Sequence, residues 1–376
     1  MRAFGRALLI ASLLTTGVIP ACSDTSGSDG VFRSRWIVKT DSIGTGGWQG
    51  LPAVRDGRLF VAVGNRIVAM STVDGKVLWS KVMTTDPSPF AERIVARDGM
   101  VFVGDRLGAM AFDAATGVER WRFSPTPAIH RGGIEVDDVA AYVGNREHRV
   151  WALSRTTGAV LWNVQLHPEW QYDAIVTGIT AKGDTIYVGM DRFLNQFGGL
   201  SAAFVAALDR RDGSVIWEYE TTSNRNAVPS FPVVVDSLLL VPDDYGAGFF
   251  ALNRYTGTQK WRVNTTPGGV GDYWAPAVIG RLAYSGDGLG GVTAVDVSTG
   301  SKRWYRNVGT LVVGLASCRG QLLVQNFTLR LLAANSGQEL GVLTSPPVDR
   351  PTSVPIVDGR RVYIVGQTYV QALECV

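Results

Sequence analysis

Residues 92–123, ERIVARDGMVFVGDRLGAMAFDAATGVERWRF, contain four short apolar segments separated by turn residues. ERIVA, MVFVGD, LGAMAFD and VERWRF each have the length and the β-branched or aromatic content of a strand. Asp98-Gly99 and Thr116-Gly117 lie between segments and supply the positive φ that tight hairpins need. The stretch predicts a four-stranded antiparallel unit, with strands A, B, C and D in chain order.

The same unit recurs along the chain, with a tryptophan four residues after a glycine. Successive tryptophans are 41–44 residues apart, except for one interval of 55. A seventh copy keeps Gly337 but has Gly341 where the tryptophan is expected. A period of this length with four strands per unit is typical of a β-propeller blade. The six tryptophans are Trp79, Trp121, Trp162, Trp217, Trp261 and Trp304.

An eighth unit lacks a D strand, and a candidate for it lies at the other end of the chain. Residues 354–376 account for strands A to C, and residues 32–40, FRSRWIVKT, match a D strand with Trp36 at the tryptophan position. Such a strand would cover a sheet edge that otherwise invites aggregation. The predicted fold class is all-β: an eight-bladed β-propeller of four-stranded antiparallel blades, closed by the N-terminal strand completing the last blade.

The tryptophans have a structural role in this scheme. Trp36 and the six repeat tryptophans lie on the outer strand, where a large ring can cover the joint to the next blade. We predict that they hold neighbouring blades together and do not form a binding array.

The first 21 residues have the parts of an export signal. Arg2 and Arg6 precede an apolar stretch that is too short to span a bilayer as a stable anchor. Residues 19–22, Ile-Pro-Ala-Cys, resemble a bacterial lipobox, which implies that Cys22 carries a lipid. An ordinary signal with a coincidental cysteine is the alternative.

Three segments follow from this pattern: a lipoprotein signal peptide at 1–21, a flexible tether at 22–31 and the propeller at 32–376. The serine after Cys22 resembles an outer-membrane sorting signal, so we expect lipid anchoring at the periplasmic face of the outer membrane. The net charge is only +3, without a basic run, which argues against nucleic acid as a partner.

The repeat A-L-D-x-x-[TD]-G-x-x-x-W, as in residues 207–217, resembles the repeat of pyrroloquinoline-quinone (PQQ) enzymes and covers nearly the whole mature chain. One branch of this family, the quinoprotein dehydrogenases, holds PQQ and calcium at the propeller centre beneath a vicinal disulfide. No adjacent cysteine pair exists here. The other branch, the BamB-like lipoproteins of the outer-membrane β-barrel assembly machine, has eight blades and holds no cofactor. Length, lipobox and blade number are similar to the second branch.

The resemblance to the assembly lipoproteins is incomplete in the loops. That family contacts its membrane partner through an apolar-Arg-Gly motif in loops entering the middle blades. The corresponding segments here, QLHPEWQYDAIVTG at 165–178 and TTSNRNAVPS at 221–230, do not contain it. The resemblance therefore leaves the partner's identity open.

Cys318 and Cys375 are 57 residues apart, in strand A of the seventh unit and strand C of the eighth. Strands of different blades rarely bring Cα atoms within about 7 Å. We therefore expect two buried free thiols. A disulfide, which an oxidising compartment favours, is the alternative.

Aromatic residues outside the repeat position concentrate in the connections from strand D to the next strand A. These connections share one face with the B-to-C connections, including a long insertion at 189–204. Aromatic rings beside polar groups suit an interface or the mouth of a small-molecule site, whereas packing onto their own blade is the alternative. The candidate residues are Trp48, Trp170, Tyr172, Asp272, Tyr273 and Trp274, with Arg192, Phe193 and Leu194 from the insertion.

No metal site or catalytic residue is predicted. His130, His148 and His167 have irregular spacing, with no ligand pair on one short element. Acids that follow strand B are explained by turn chemistry, with a polar ring or calcium site as the alternative. These acids are Asp105, Asp191, Asp243, Asp244 and Asp287.

Two functions remain open. The first is a non-catalytic, lipid-anchored scaffold that binds envelope proteins, with a role in outer-membrane β-barrel assembly implied by the resemblance. The second is a PQQ- or small-molecule-binding propeller related to the quinoprotein dehydrogenases. The first needs no cofactor, whereas the second predicts saturable binding of PQQ with calcium.

Overall fold

The protein is described here by a computed structural model. It describes residues 18–19, 30–39, 50–83, 93–105, 107–125, 133–171, 174–194, 201–221, 231–243, 248–265, 275–343, 353–366 and 368–376. Within these ranges all regular structure is β. No helix in the described part of the chain is long and apolar enough to cross a membrane.

The described strands form eight antiparallel sheets, which are the blades, numbered 1 to 8 in chain order. The A strands are Ala53–Arg55, Arg93–Arg97, Ile134–Val136, Ala174–Lys182, Val233–Val235, Ala277–Ile279, Gly314–Cys318 and Ile356–Asp358. The B strands are Arg58–Val63, Met100–Gly104, Ala140–Gly144, Thr185–Phe193, Leu238–Asp243, Leu282–Gly286, Gln321–Gln325 and Arg361–Val365. The C strands are Arg66–Ser71, Ala109–Asp113, Arg149–Ser154, Ser201–Asp209, Gly248–Asn253, Gly291–Asp296, Leu329–Leu332 and Tyr369–Cys375. The D strands are Val77–Val82, Glu119–Phe123, Val160–Gln165, Val215–Glu220, Gln259–Asn264, Lys302–Asn307, Glu339–Leu343 and Phe32–Lys39.

The N-terminal strand closes the ring, as the sequence predicts. Phe32–Lys39 pairs antiparallel with Tyr369–Cys375, and Trp36 lies opposite Ala372. The amide of Val376 also donates a hydrogen bond to the carbonyl of Val31 at 2.9 Å. On its other side the strand pairs with a two-residue strand, Val18–Ile19. The A strands of blades 8 and 1 then contact each other, so the eight-bladed propeller is confirmed.

The buried apolar residues form eight clusters, one at each joint between neighbouring blades. Seven of these joints share one arrangement around a tryptophan. Each indole lies against the glycine in the turn between strands C and D of the next blade. A Cβ added to that glycine would lie only 2.6–2.8 Å from the nearest atom of the ring. The pairs are Trp36 with Gly75, Trp79 with Gly117, Trp121 with Gly158, Trp162 with Gly213, Trp217 with Gly257, Trp261 with Gly300 and Trp304 with Gly337. The glycine is needed for this close approach and also for its positive φ, as at Gly117 with 68°.

Each of these tryptophans also makes a hydrogen bond across the joint. Its Nε1–H donates to a backbone carbonyl in the next blade at 2.6–3.1 Å, as Trp121 does to Arg155. A β-bulge directly before the tryptophan interrupts the register in all seven D strands. Because a bulge re-aims the following side chain, the ring can point at the next blade.

The joint between blades 7 and 8 is built differently. Blade 8 has no C-to-D turn, because its C strand ends at the C-terminus and its D strand comes from the N-terminus. A tryptophan in blade 7 would therefore have no turn glycine to lie against, and Gly341 stands there instead. A Cβ added at Gly341 would lie 2.3 Å from Val31 Cγ2, so Val31 occupies the space next to it.

The same joint contains a disulfide between Cys318 and Cys375, so the expectation of two free thiols is wrong. Their Cα atoms are 6.6 Å apart, within bonding range. The expectation failed because the end of strand A in one blade lies beside the end of strand C in the next. Both cysteines are buried in the apolar cluster of this joint.

The propeller has two faces that the strand order defines. The turn face carries the A-to-B and C-to-D turns. The loop face carries the B-to-C and D-to-A connections. In blade 4 the insertion extends the sheet toward the loop face as a hairpin, with Phe193 paired to Ser201 and residues 195–200 outside the described ranges.

Candidate functional site

The structure describes only part of the predicted loop-face set. Trp170, Arg192, Phe193 and Leu194 lie in described segments. Cys22, Trp48, Tyr172, Asp272, Tyr273 and Trp274 lie outside the described residues, as do His130 and Asp244. The described candidates come from the D-to-A connection between blades 3 and 4 and from strand B of blade 4.

Trp170 lies at the centre of a cluster of side chains on the loop face. Its amide donates a hydrogen bond to the carbonyl of His167 at 3.0 Å, and this turn brings the two rings together. The rings stack with centroids 4.5 Å apart and planes 4° apart. Phe204, at the start of strand C of blade 4, meets Trp170 edge-on at 5.0 Å. Trp170 packs against the apolar cluster between blades 3 and 4 and is half-buried, so part of its surface stays accessible.

Arg192 brings a charged group to the same ring. Its guanidinium lies 4.5 Å from the Trp170 ring centroid, a cation–π distance. Its Nη1 donates to Glu220 Oε1 at 2.6 Å. Phe193 and Leu194 follow Arg192 and are half-buried at the end of the blade 4 hairpin. Thus the Arg192 guanidinium is held between an indole and a carboxylate.

His167 is hydrogen-bonded through both ring nitrogens. Nδ1 lies 2.7 Å from Glu169 Oε1, and Nε2 lies 3.0 Å from Glu218 Oε1. Hydrogen bonds from the backbone amide of Glu169 and from His167 hold the pKa of the Glu169 carboxyl below its usual range. With both nitrogens engaged, His167 is oriented by its neighbours and is not an open metal ligand in this arrangement.

We call His167, Trp170, Arg192, Phe204, Glu218 and Glu220 the Trp170 cluster. Its residues come from four elements: the D-to-A connection between blades 3 and 4, and strands B, C and D of blade 4. The residue types of Trp170 and Arg192 made them candidates from the sequence, whereas the roles of His167, Glu218 and Glu220 appear only in the structure. Glu218 and Glu220 alternate with inward residues on an outer strand, a pattern that carries no functional signal by itself.

Three of the remaining polar candidates have structural roles. His148 is buried, with Nδ1 hydrogen-bonded to the carbonyl of Leu166. Asp105 accepts hydrogen bonds from the amides of Leu107 and Gly108, and Asp287 accepts them from those of its own B-to-C turn. This is turn chemistry, as expected for these two acids. Among the described residues, no group of three or more His, Cys, Asp or Glu could hold a metal ion.

The Trp170 cluster therefore offers a preorganised surface of aromatic, cationic and acidic side chains. Its ring stack and its ion pair fix the side chains in place, so little rotamer entropy remains to be lost on binding. Tryptophan and arginine, the two residues at its centre, are among the residues that contribute most to protein interfaces.

Comparison with known proteins places the chain among PQQ-like propellers. The family model described as "Outer membrane protein assembly factor BamB" matches residues 18–169 and 146–375. An outer membrane protein assembly factor BamB from Yersinia pestis is 29% identical over 45% of this chain and 42% of its own length. A polyvinylalcohol dehydrogenase from a Pseudomonas species is 23% identical over 64% of this chain and 53% of its own length. The chain thus spans about half the length of these two relatives.

The crystal structure of BamB from Moraxella catarrhalis has the same fold. It superposes with a TM-score of 0.70, covering 92% of this chain and 100% of that one, at 15% sequence identity. At this identity the likeness concerns the fold alone. The two kinds of relative, assembly factor and dehydrogenase, correspond to the two branches that the repeat resembles.

Proposed function

The chain belongs to the family of the outer membrane protein assembly factor BamB, and from this we propose that it is a non-catalytic scaffold that binds protein partners in outer-membrane β-barrel assembly. The partners are envelope proteins, with the β-barrel assembly machine as the expected one. We also propose that the chain is anchored through a lipid on Cys22 at the periplasmic face of the outer membrane. The lipobox at residues 19–22 supports this location.

The observation that carries the proposal is the Trp170 cluster on the loop face. The half-buried indole of Trp170 lies between His167 and Arg192. Together with Glu218 and Glu220, these side chains bring aromatic surface, a cation and two carboxylates together beside the blade 4 sheet. Such anchors surrounded by polar groups are typical of the energetic centre of a protein–protein interface. Trp48, Tyr172, Asp272, Tyr273 and Trp274 are assigned to the same loop face by their place in the chain and remain part of the proposal.

The test is a mild-detergent pull-down of the lipidated protein from its native envelope, with bound proteins identified by mass spectrometry. Recovery of β-barrel assembly proteins is the expected result. Trp170→Ala and Arg192→Gln should each reduce that capture about tenfold, the order expected for loss of an interface anchor. Trp170→Phe, which keeps a ring, should recover part of it.

The matched control is Tyr255→Ala, an exposed aromatic on the turn face of blade 5. It should capture the partner like the parent protein, and circular dichroism should show all variants folded. Unchanged capture by both loop-face variants would refute the choice of surface. A preparation without assembly proteins would refute the proposed partner.

A PQQ-binding function is the second candidate, favoured by the polyvinylalcohol dehydrogenase relative. The described residues do not fit it well. They contain no group of three or more His, Cys, Asp or Glu that could hold a metal ion. Their disulfide joins Cys318 and Cys375 of two blades and is not a vicinal pair. Titration with PQQ and calcium, followed by absorbance, tests this candidate: saturable binding would favour it, and a linear response would oppose it.

A further inference from the structure

A cavity lies on the turn face between blades 1 and 2, at a position where each of the next two joints has an arginine side chain. At each joint the A-to-B turn of one blade lies beside the C-to-D turn of the next. Between blades 2 and 3, Arg155 of the C-to-D turn reaches Asp98 of the A-to-B turn. Between blades 3 and 4, Arg210 reaches Asp138 at 2.9 Å and Asp137 at 3.4 Å. An arginine side chain therefore fills the space at both joints.

Between blades 1 and 2 the corresponding residue is an alanine. Ala114 directly follows strand C of blade 2, as Arg155 and Arg210 follow strand C of their blades. A cavity of about 230 Å³ lies here. Its walls include the apolar side chains of Phe60 and Met100 as well as Ala114.

Three arginines line this cavity, which we call the blade 1–2 cavity: Arg55, Arg58 and Arg97. The Nε atoms of Arg58 and Arg97 are buried and make no hydrogen bond to any of the described residues. Buried guanidinium N–H groups without an acceptor are costly, and an anion would satisfy them. Arg55 and Arg58 flank the A-to-B turn of blade 1, whereas Arg97 ends strand A of blade 2, so both blades contribute cations at this joint.

The nearby carboxylates neutralise these arginines only in part. Arg55 Nε lies 3.7 Å from Asp56. Arg97 Nε lies 3.4 Å from Asp98, but Asp98 is shared with Arg155. Asp113, which also lines the cavity, is paired with Arg120 at 2.6 Å. Arg58 forms no ion pair with a carboxylate of the described residues.

We propose that the blade 1–2 cavity binds a phosphate group. Guanidinium groups match the oxygens of phosphate with paired N–H donors, and a dianion balances the excess positive charge at this joint. The apolar walls leave room beside the phosphate for a small organic substituent. Free phosphate and a phosphorylated small molecule share this chemistry, and the test separates them.

Isothermal titration calorimetry of the whole protein with inorganic phosphate and with glycerol 3-phosphate, at constant ionic strength, tests the proposal. Saturable binding of either is expected. Equal affinities identify the phosphoryl group alone as the ligand, and tighter binding of glycerol 3-phosphate shows that the cavity also contacts the organic substituent. Absence of saturable binding by both probes would overturn the proposal.

Variants test whether the site is this cavity. Arg58→Gln and Arg97→Gln should each weaken binding about tenfold, through loss of a charge-assisted hydrogen bond. Ala114→Glu should abolish binding by placing a carboxylate beside the arginines that hold the phosphate. That variant is expected to fold, because the same turn position carries the long side chains of Arg155 and Arg210 in blades 3 and 4.

The matched control is Arg122→Gln, which removes the same charge from strand D of blade 2, where Arg122 pairs with Glu119 outside the cavity. It should bind like the parent protein. Thermal melts establish that each variant is folded. Full binding by Ala114→Glu, or equal weakening by Arg122→Gln, would show that the phosphate is not held in this cavity.

Discussion

Seven joints of this propeller are closed by a tryptophan, and the joint between blades 7 and 8 is closed by a disulfide. In the first kind, a ring lies on a turn glycine and its N–H reaches the next blade. In the second, no turn glycine exists, Val31 lies against Gly341, and Cys318 is bonded to Cys375. The difference follows from closure, because the blade that the two chain ends complete has no C-to-D turn to receive an indole. The missing tryptophan therefore follows from the closure of the ring, and the disulfide links the same two blades.

The largest effect is expected from breaking a tryptophan joint. Trp121→Ala should lower the free energy of unfolding by about 3–5 kcal/mol, because it removes a buried ring and leaves a cavity. Gly158→Ala should also destabilise the same joint, since its Cβ would lie 2.8 Å from the Trp121 ring and its φ is 70°. Chemical denaturation followed by fluorescence measures both. Parent-like stability in both variants would contradict the role of these residues.

A smaller effect is expected at the disulfide joint. Cys318→Ser with Cys375→Ser should cost about 2–4 kcal/mol, mainly because the unfolded chain loses a constraint. Thermal melts with and without a reductant check this. Reductant should lower the melting temperature of the parent protein and leave that of the double variant unchanged. A parent protein insensitive to full reduction, verified by thiol titration, would contradict the prediction.

The smallest effect on stability is expected from the carboxylates at the start of several C-to-D turns. A hydrogen bond from Arg211 lowers the pKa of Asp209 to about 2. Because this pKa lies below the unfolded value near 4, the ionised carboxyl stabilises the fold above about pH 4, and that stability is lost as pH falls toward 2. The disulfide joint has no C-to-D turn and therefore lacks this contribution.

Asp209→Asn tests this pH dependence. Its deficit in melting temperature relative to the parent should be present at pH 7 and shrink between pH 4 and pH 2. Glu119→Gln removes an exposed carboxylate outside a turn and serves as the control. A deficit of Asp209→Asn that stays constant down to pH 2 would contradict the assignment.

Local sequence was sufficient for the scaffold. Strand lengths, Asp-Gly and Thr-Gly turns and the Gly-x-x-x-Trp spacing are short-range signals, so they predicted the blades and their number. The closing strand was also predictable, because Phe32–Lys39 repeats the D-strand pattern that the eighth unit lacks. At the loop face the sequence identified Trp170 and Arg192 as candidates from their residue types, without their partners.

By itself, the sequence determined the repeat, the blade count and the residues that face each joint, since these depend on neighbours within one hairpin. Only the tertiary structure decided what meets across a joint. Cys318 bonded to Cys375, His167 held by Glu218, and the cavity left by Ala114 all join residues that are distant in sequence. Such contacts depend on how the ring closes and on which blade ends lie side by side. That geometry arises only when all eight blades pack together.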